Sequence, residues 1–286
     1  MRVRLATVVA LCLLGLPHAG HASAPAARVW PLGDSITVGA SWPEAVPGGY
    51  RTAFDQILSR DGYAHLFIGT STVNDSPTLR ADGQVAHDGH GGFRIDQIRR
   101  DLDGLAHRST DDGGHWLTGT AHRRALMPDV VVVHLGTNDI LQRWDTRRFP
   151  TRTGRADLSD AAQRSRFVAD MTQRLEGLLA RIHALRPGCR LVVATIVPID
   201  SPSYAAVMSA YAASVRRLVH RLGVRHYPVT LVDLDAAFRL SEAPGAPVAP
   251  GLLSSDRIHP TAAGYIVMAH AFAVAVEQGA RVGHRG

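Results

Sequence analysis

The chain has 286 residues, 45% hydrophobic and 20% charged, with 27 Gly and 16 Pro, which excludes a disordered or fibrous polymer and suits one sizeable globular domain. Its formal charge is +6 and all 31 basic residues are Arg, so the lack of Lys excludes Walker-type phosphate loops, Schiff-base chemistry and Ser-Lys dyads. The arginines are scattered rather than clustered and read as solvated surface, not as a nucleic-acid footprint, while the 2 Cys exclude a disulfide scaffold or a Cys-rich zinc module.

Residues 1–24 begin with Arg2 and Arg4, continue through an apolar run over 5–16 and reach small residues around Ala22 and Ala24. This is the order of a secretory signal peptide, too short for a membrane span. Cleavage after Ala22, with Gly20 at the other small position, avoids placing Pro25 directly after the cut. The expectation is an exported protein, extracellular or periplasmic, whose single domain occupies residues 25–286. Cys12 leaves with the leader, and Leu11 is too large for a lipoprotein cleavage box, so no membrane anchor is expected. Cys189, at the head of an apolar strand, reads as a small buried hydrophobe rather than a reactive thiol.

Short apolar or β-branched runs alternate with segments of helical period, which predicts an α/β fold with a mostly parallel, five-stranded sheet. The predicted strands are 28–32, 65–68, 129–135, 190–196 and 230–234, and the valines at 130–133 read as a central strand buried on both faces. Between them, Ile95, Ile98, Leu102 and Leu105 form one helical stripe, and Phe167, Met171, Leu175, Leu178 and Ile182 a longer one that Pro187-Gly188 stops. A last helix is predicted from Pro260, with Tyr265, Met268, Phe272 and Val276 on one face. The stretches 71–92 and 143–157 read as long surface loops.

Three segments fall just beyond the carboxyl ends of predicted strands, where an open α/β sheet places its ligands. They are Gly33-Asp34-Ser35, Gly136-Thr137-Asn138-Asp139 and Asp256-Arg257-Ile258-His259-Pro260; a fourth, His87-Asp88-Gly89-His90-Gly91-Gly92-Phe93, precedes a predicted helix. Together they supply the parts for nucleophilic acyl transfer. A serine is a weak nucleophile until an imidazole takes its proton and a carboxylate fixes the imidazole tautomer, roles that Ser35, His259 and Asp256 can fill. The developing oxyanion needs donors, which the backbone N–H groups of Ser35 and Gly92 and the side-chain amide of Asn138 can supply. Each segment alone has an ordinary reading as a turn or helix cap; all four in order at strand ends do not.

These four segments resemble the SGNH hydrolase superfamily, the GDSL esterases, over about residues 29–268. The resemblance implies a flavodoxin-like three-layer α/β/α sandwich, Ser35 as nucleophile, Asp256 and His259 as the rest of the triad, and an oxyanion hole of Ser35, Gly92 and Asn138. The stretches Pro31-Leu32-Gly33-Asp34-Ser35-Ile36-Thr37, Gly48-Gly49-Tyr50-Arg51 and 89–98 look most like secreted carbohydrate esterases of family 3, typified by acetylxylan esterases. Two positions depart from that pattern, Gly91 standing for Ser and Phe93 for Trp, and Thr261 replaces the commoner Asn after His-Pro. The insertion over 107–124 has no counterpart.

The reading is a secreted serine esterase that removes short acyl groups, acetyl foremost, from a carbohydrate through an acyl-enzyme, with no cofactor or metal and with a small-molecule or polysaccharide ester as its partner. No Gly-x-Ser-x-Gly elbow is present, which separates it from α/β-hydrolase lipases. The alternatives are a lipase, thioesterase or arylesterase for longer acyl chains, and a non-catalytic polysaccharide-binding protein on the same fold. His87, His90, His115 and His122 lack the spacing of a zinc site, and His134 reads as a core histidine. Trp42, Trp116 and Trp144 are candidate sugar-stacking residues.

Overall fold

A computed structural model of the chain describes residues 25–104, 114–143, 156–241, 243 and 246–283. The expected leader, Leu105, Trp144 and most of the 143–157 stretch lie outside the described residues.

Strand β1 (Ala27–Gly33) lies between β2 (His65–Phe67) and β4 (Val130–His134), and β5 (Arg190–Ala194) and β6 (Val229–Val232) continue the sheet beyond β4, every pairing parallel. The sixth strand is β3 (Asp88–Gly89), a two-residue pairing on the end of β1. The five predicted strands are therefore all present, and β3 falls inside the predicted 71–92 loop.

Alternation along the strands sorts the core into two layers. Trp30, Leu32, Val131, Val133, Leu191 and Val193 face one layer, packed with α4 (Ile95–Leu102), α6 (Ala161–Leu185) and α7 (Pro202–Val224). Val29, Val130, Val132, Val192 and Ala194 face the other, packed with α2 (Tyr50–Arg60) and α9 (Ala262–Gly283). Helices on both faces of a parallel sheet make the three-layer α/β/α sandwich, and the strand order is the flavodoxin-like one. Short helices α1 (Ser35–Val38), α3 (Pro77–Ala81), α5 (Thr137–Gln142) and α8 (Leu234–Ala237) sit in the connections. Among the described residues, no helix is long and apolar enough to cross a membrane.

The predicted stripes of α4, α6 and α9 are buried as expected. The start of α9 differs. Pro260 forms an antiparallel bridge with Leu253, and the helix begins at Ala262 because the Thr261 hydroxyl accepts from Gly264 N at 3.2 Å and caps the first turn. Cys189 is buried, and that burial pushes its thiol up to about 12. His134 is wholly buried in β4, where its Nε2 accepts from Val197 N at 3.2 Å, and burial lowers it to about 4.

Candidate active site

The site is assembled by the ends of β1, β3 and β4. Gly33 pairs with Gly89 on one side and His134 on the other, so the three segments that follow leave the sheet together. A Cβ on Gly33 would stand 2.7 Å from the His134 carbonyl oxygen, so only glycine permits that approach. Asp34 caps α1, its Oδ1 accepting from Ile36 N at 3.0 Å, and Ser35 is the first helical residue. Burial pushes the Asp34 carboxyl up to about 7.

Beneath α1 lies a buried cation. Arg51 on α2 donates from Nε to the Thr37 carbonyl at 3.2 Å, from Nη1 to Val85 at 3.2 Å, and from Nη2 to Val38 at 3.3 Å and Asn74 at 3.1 Å. Burial lowers it to about 10, so it remains charged at neutral pH. One side chain thus ties the carboxyl end of α1 to the 71–90 segment. That segment holds α3 and β3 in addition to its loops; Asp88 is buried at its end, accepting from Trp30 Nε1 at 2.6 Å and from Thr70 N at 3.2 Å.

The loop entering α9 closes tightly, with Ser254 N bonded to the His259 carbonyl at 2.8 Å and Arg257 at φ +63° in the left-handed region. Asp256 Oδ1 accepts from Ser254 Oγ, Ile258 N and His259 N at 2.8, 2.8 and 2.9 Å. Partial burial raises this carboxyl, but those bonds and the one from the His259 ring outweigh it and hold it at about 2. Asp256 is therefore an ionised acceptor, and its Oδ2 lies 2.6 Å from His259 Nδ1. The ring must carry its proton on Nδ1 to donate there. That leaves Nε2 as an acceptor, 2.9 Å from Ser35 Oγ. The three expected residues are in one chain of hydrogen bonds, the arrangement in which an imidazole can take a hydroxyl proton.

The other two expected residues, Gly92 and Asn138, lie on segments that are bonded to each other. Asn138 on α5 donates from Nδ2 to the Phe93 carbonyl at 3.1 Å, placing its amide against the loop that carries Gly92. One amide hydrogen remains for a ligand. Gly92 has φ +78°, a conformation that disfavours any side chain, and a Cβ there would meet nothing within 4 Å. Among the described residues no acceptor takes its N–H.

The remaining candidates divide. His87 is spent on backbone, its Nε2 against the Val73 carbonyl and its Nδ1 accepting from Gly89 N, both at 2.9 Å. His90 stacks on Trp116, 5.0 Å between centroids and 8° between planes, and Trp116 is fully buried against Trp30. Trp116 is therefore core, not a sugar platform, and the described end of the insertion braces the His90 segment. Trp42 is 62% exposed. It follows Ala40, whose N bonds to the Ser35 carbonyl at 2.9 Å and whose carbonyl accepts from the Tyr265 hydroxyl. Sequence reasoning named Arg51 only as part of the Gly48-Gly49-Tyr50-Arg51 stretch, without a role, and passed over Ser254 and Gln142, of which Gln142, four residues after Asn138 on one helix, carries the plainer positional signal.

The sequence model of the GDSL-like Lipase/Acylhydrolase family matches residues 32–267. None of the curated proteins matches the chain. Among solved structures, the chain is similar to a family 3 carbohydrate esterase of Clostridium thermocellum, with 21% identity, a TM-score of 0.61 and coverage of 90% of this chain and 98% of that one. It is similar also to a carbohydrate esterase family 3 protein from Talaromyces cellulolyticus, with 19% identity, a TM-score of 0.58 and coverage of 88% and 97%. A third likeness is to the lipase Lip_vut3 from a goat rumen metagenome, with 17% identity, a TM-score of 0.54 and coverage of 87% and 97%. At these identities the likenesses show the fold.

Proposed function

The chain belongs to the GDSL-like lipase/acylhydrolase family and is a carboxylic ester hydrolase, and from that premise we propose that it is a secreted serine esterase that removes short acyl groups, acetyl foremost, from carbohydrates. The observation that carries the mechanism is the unbroken chain from Ser35 Oγ through His259 to ionised Asp256.

Ser35 Oγ gives its proton to His259 Nε2 and bonds to the ester carbonyl carbon. The tetrahedral oxyanion takes hydrogen bonds from the N–H groups of Ser35 and Gly92 and from the second amide hydrogen of Asn138. Collapse breaks the bond to the alcohol oxygen, which leaves with the proton held on His259, and the acyl group stays on Ser35. A water molecule then gives its proton to Nε2, attacks the acyl carbon and regenerates the Ser35 hydroxyl, releasing the acid. Asp256 stays ionised throughout and holds the ring.

Two observations support the carbohydrate side of the proposal. Family 3 carbohydrate esterases are among the similar structures, and Trp42 offers an exposed flat ring two residues beyond the Ala40 contact with Ser35. Export rests on the leader pattern of residues 1–24, and N-terminal sequencing of protein recovered outside the cytoplasm should find a chain beginning after that leader.

The test is hydrolysis of p-nitrophenyl esters from acetate through octanoate by the mature protein beside its Ser35→Ala variant, followed by acetylated polysaccharides. Activity that needs Ser35 and falls steeply beyond propionate is the expected result. A rate that rises toward octanoate would move the substrate to long-chain esters, and an undiminished Ser35→Ala variant would overturn the assignment of the nucleophile.

A further inference from the structure

We infer that Gln142 is a positioning residue for the oxyanion donor at Gly92, an inference that rests on the esterase reading above. Asn138 and Gln142 lie four residues apart on α5 and so share a face. Their amides clamp consecutive carbonyls of one loop: Asn138 Nδ2 donates to Phe93 O at 3.1 Å and Gln142 Nε2 donates to Gly92 O at 2.7 Å. The orientation of the Gln142 amide is set from its other end, where Oε1 accepts from Arg94 Nη1 at 2.6 Å. Arg94 is in turn gripped by Asp96 through Nε and Nη2 at 2.9 and 3.1 Å. Arg174 extends the chain, standing 3.6 Å from Asp96 and 2.7 Å from Asp139 on α5.

This chain matters because packing holds His90 and Phe93 but not the two glycines between them. A Cβ built on Gly91 or Gly92 meets nothing within 4 Å, so the backbone there is surrounded by open space, and two successive glycines have the widest conformational freedom of any dipeptide. A backbone N–H that must point at an oxyanion cannot be left to wander. Hydrogen bonds supply what packing does not. The Gly92 and Phe93 carbonyls are pinned by the two amides, Arg94 N donates to Gln97 Oε1 at 3.0 Å, and Phe93 N bonds to His90 O at 3.1 Å. Of these, the Gln142 bond acts on the residue that carries the donor, and the charge-assisted bond from Arg94 to the other end of the same amide fixes its orientation and polarises it.

The experiment compares wild type with Gln142→Met, which keeps the side-chain length and loses both hydrogen bonds, and Gln142→Glu, which keeps an acceptor for Arg94 but has no N–H for Gly92 O. Two quantities are read. The first is kcat and KM on p-nitrophenyl acetate. The second is inhibition by an aryl boronic acid, to which Ser35 Oγ adds while its proton passes to His259 Nε2, giving a tetrahedral boronate with an oxygen where the oxyanion forms. Both variants should lose roughly 10- to 100-fold in kcat, the scale of a displaced catalytic group, with KM nearly unchanged and the boronate inhibition constant raised by a matching factor. A merely structural role would lower the active fraction and leave that constant alone. Wild-type kcat and boronate binding in Gln142→Met, or a loss of kcat without a loss of boronate binding, would overturn the inference. Ser35→Ala, measured alongside, separates the two readings: a silent Ser35→Ala with an unaffected Gln142→Met removes only the role of Gln142, while an active Ser35→Ala removes the esterase mechanism itself.

Discussion

Replacing Arg51 by Met should destabilise the protein far more than the loss of one ion pair, because this cation has no carboxylate partner among the residues it bonds and serves backbone instead. Of the carbonyls it reaches, Val38 also accepts from Asn74 Nδ2 at 2.9 Å and Asn74 also accepts from Gly48 N at 2.7 Å, so both keep a donor. Thr37 and Val85 have no other donor among the described residues. The buried Thr37 carbonyl left unsatisfied costs about 1–3 kcal/mol and the half-buried Val85 carbonyl at most as much again, giving about 1–6 kcal/mol, offset in part by no longer burying a guanidinium. Urea unfolding of Arg51→Met at pH 7 should show that loss as a lowered midpoint with an unchanged m-value. Arg51→Lys should recover part of it, since an ammonium can serve some but not all of these acceptors. Because Thr37 and Val38 end the helix that begins at Ser35, kcat should fall in the surviving folded fraction too. A midpoint in Arg51→Met indistinguishable from wild type would refute the idea that these bonds organise the α1 end of the sheet.

Asn138→Ala should reduce kcat by roughly 10²–10³, the scale for removing one oxyanion donor, and an effect confined to KM would make Asn138 a binding residue instead. Trp42→Ala should lower kcat/KM on an acetylated polysaccharide by about fivefold, equivalent to about 1 kcal/mol of lost ring contact, while leaving p-nitrophenyl acetate unchanged; equal losses on both substrates would count against a sugar platform. Asp34 has a folded-state pKa raised from 3.8 to about 7 by burial, so its contribution favours the folded state at low pH and is lost as pH rises through about 7. Asn at that position keeps an acceptor for Ile36 N and does not titrate. The melting temperature of Asp34→Asn relative to wild type should therefore climb between about pH 4 and about pH 7 and level off above that, and a gap constant with pH would contradict the buried-acid account.

The parts of the fold that were legible are those where composition and period agree. Four successive valines could only be a strand buried on both faces, and α6 and α9 declared themselves by apolar stripes that the structure buries. What was missed has a local cause in each case. Helix α7 carries Val207, Tyr211, Val215, Leu218 and Leu222 at helical spacing behind Ser201-Pro202, a signal diluted by the many alanines between them. Strand β3 could not be read at all, since Asp-Gly is turn chemistry by every local rule; it becomes a strand only because β1 offers free pairing groups and Trp30 and Thr70 satisfy the buried Asp88 carboxylate. Pro260 looked like a first helical residue until the Leu253 bridge claimed it. Gln142 has only its four-residue spacing from Asn138 to mark it, and that spacing gains its meaning from the face of α5 that meets the Gly92 loop, which tertiary packing sets.

The order of the strands explains why the site forms where it does. From β1 the chain turns to β2 on one side, and β4 pairs on the other, so the connections leaving β1 and β4 diverge and open a crevice at their carboxyl ends. Ser35 follows one of those strands and Asn138 the other, while Gly92 follows β3, which pairs with the same Gly33 that anchors β4. The convergence of the segments that carry Ser35, Gly92 and Asn138 is thus a property of sheet register before it is a property of any loop. A one-residue slip of β4 against β1 would turn every side chain of β4 to the opposite layer and would carry Asn138 away from the Phe93 carbonyl. Register is held by the burial of Val131 and Val133 in one layer and Val130 and Val132 in the other. Changes in those valines should therefore damage turnover and stability together, whereas changes in the loop carrying Trp42, which touches no strand pairing, should alter which esters are accepted and leave the chemistry intact.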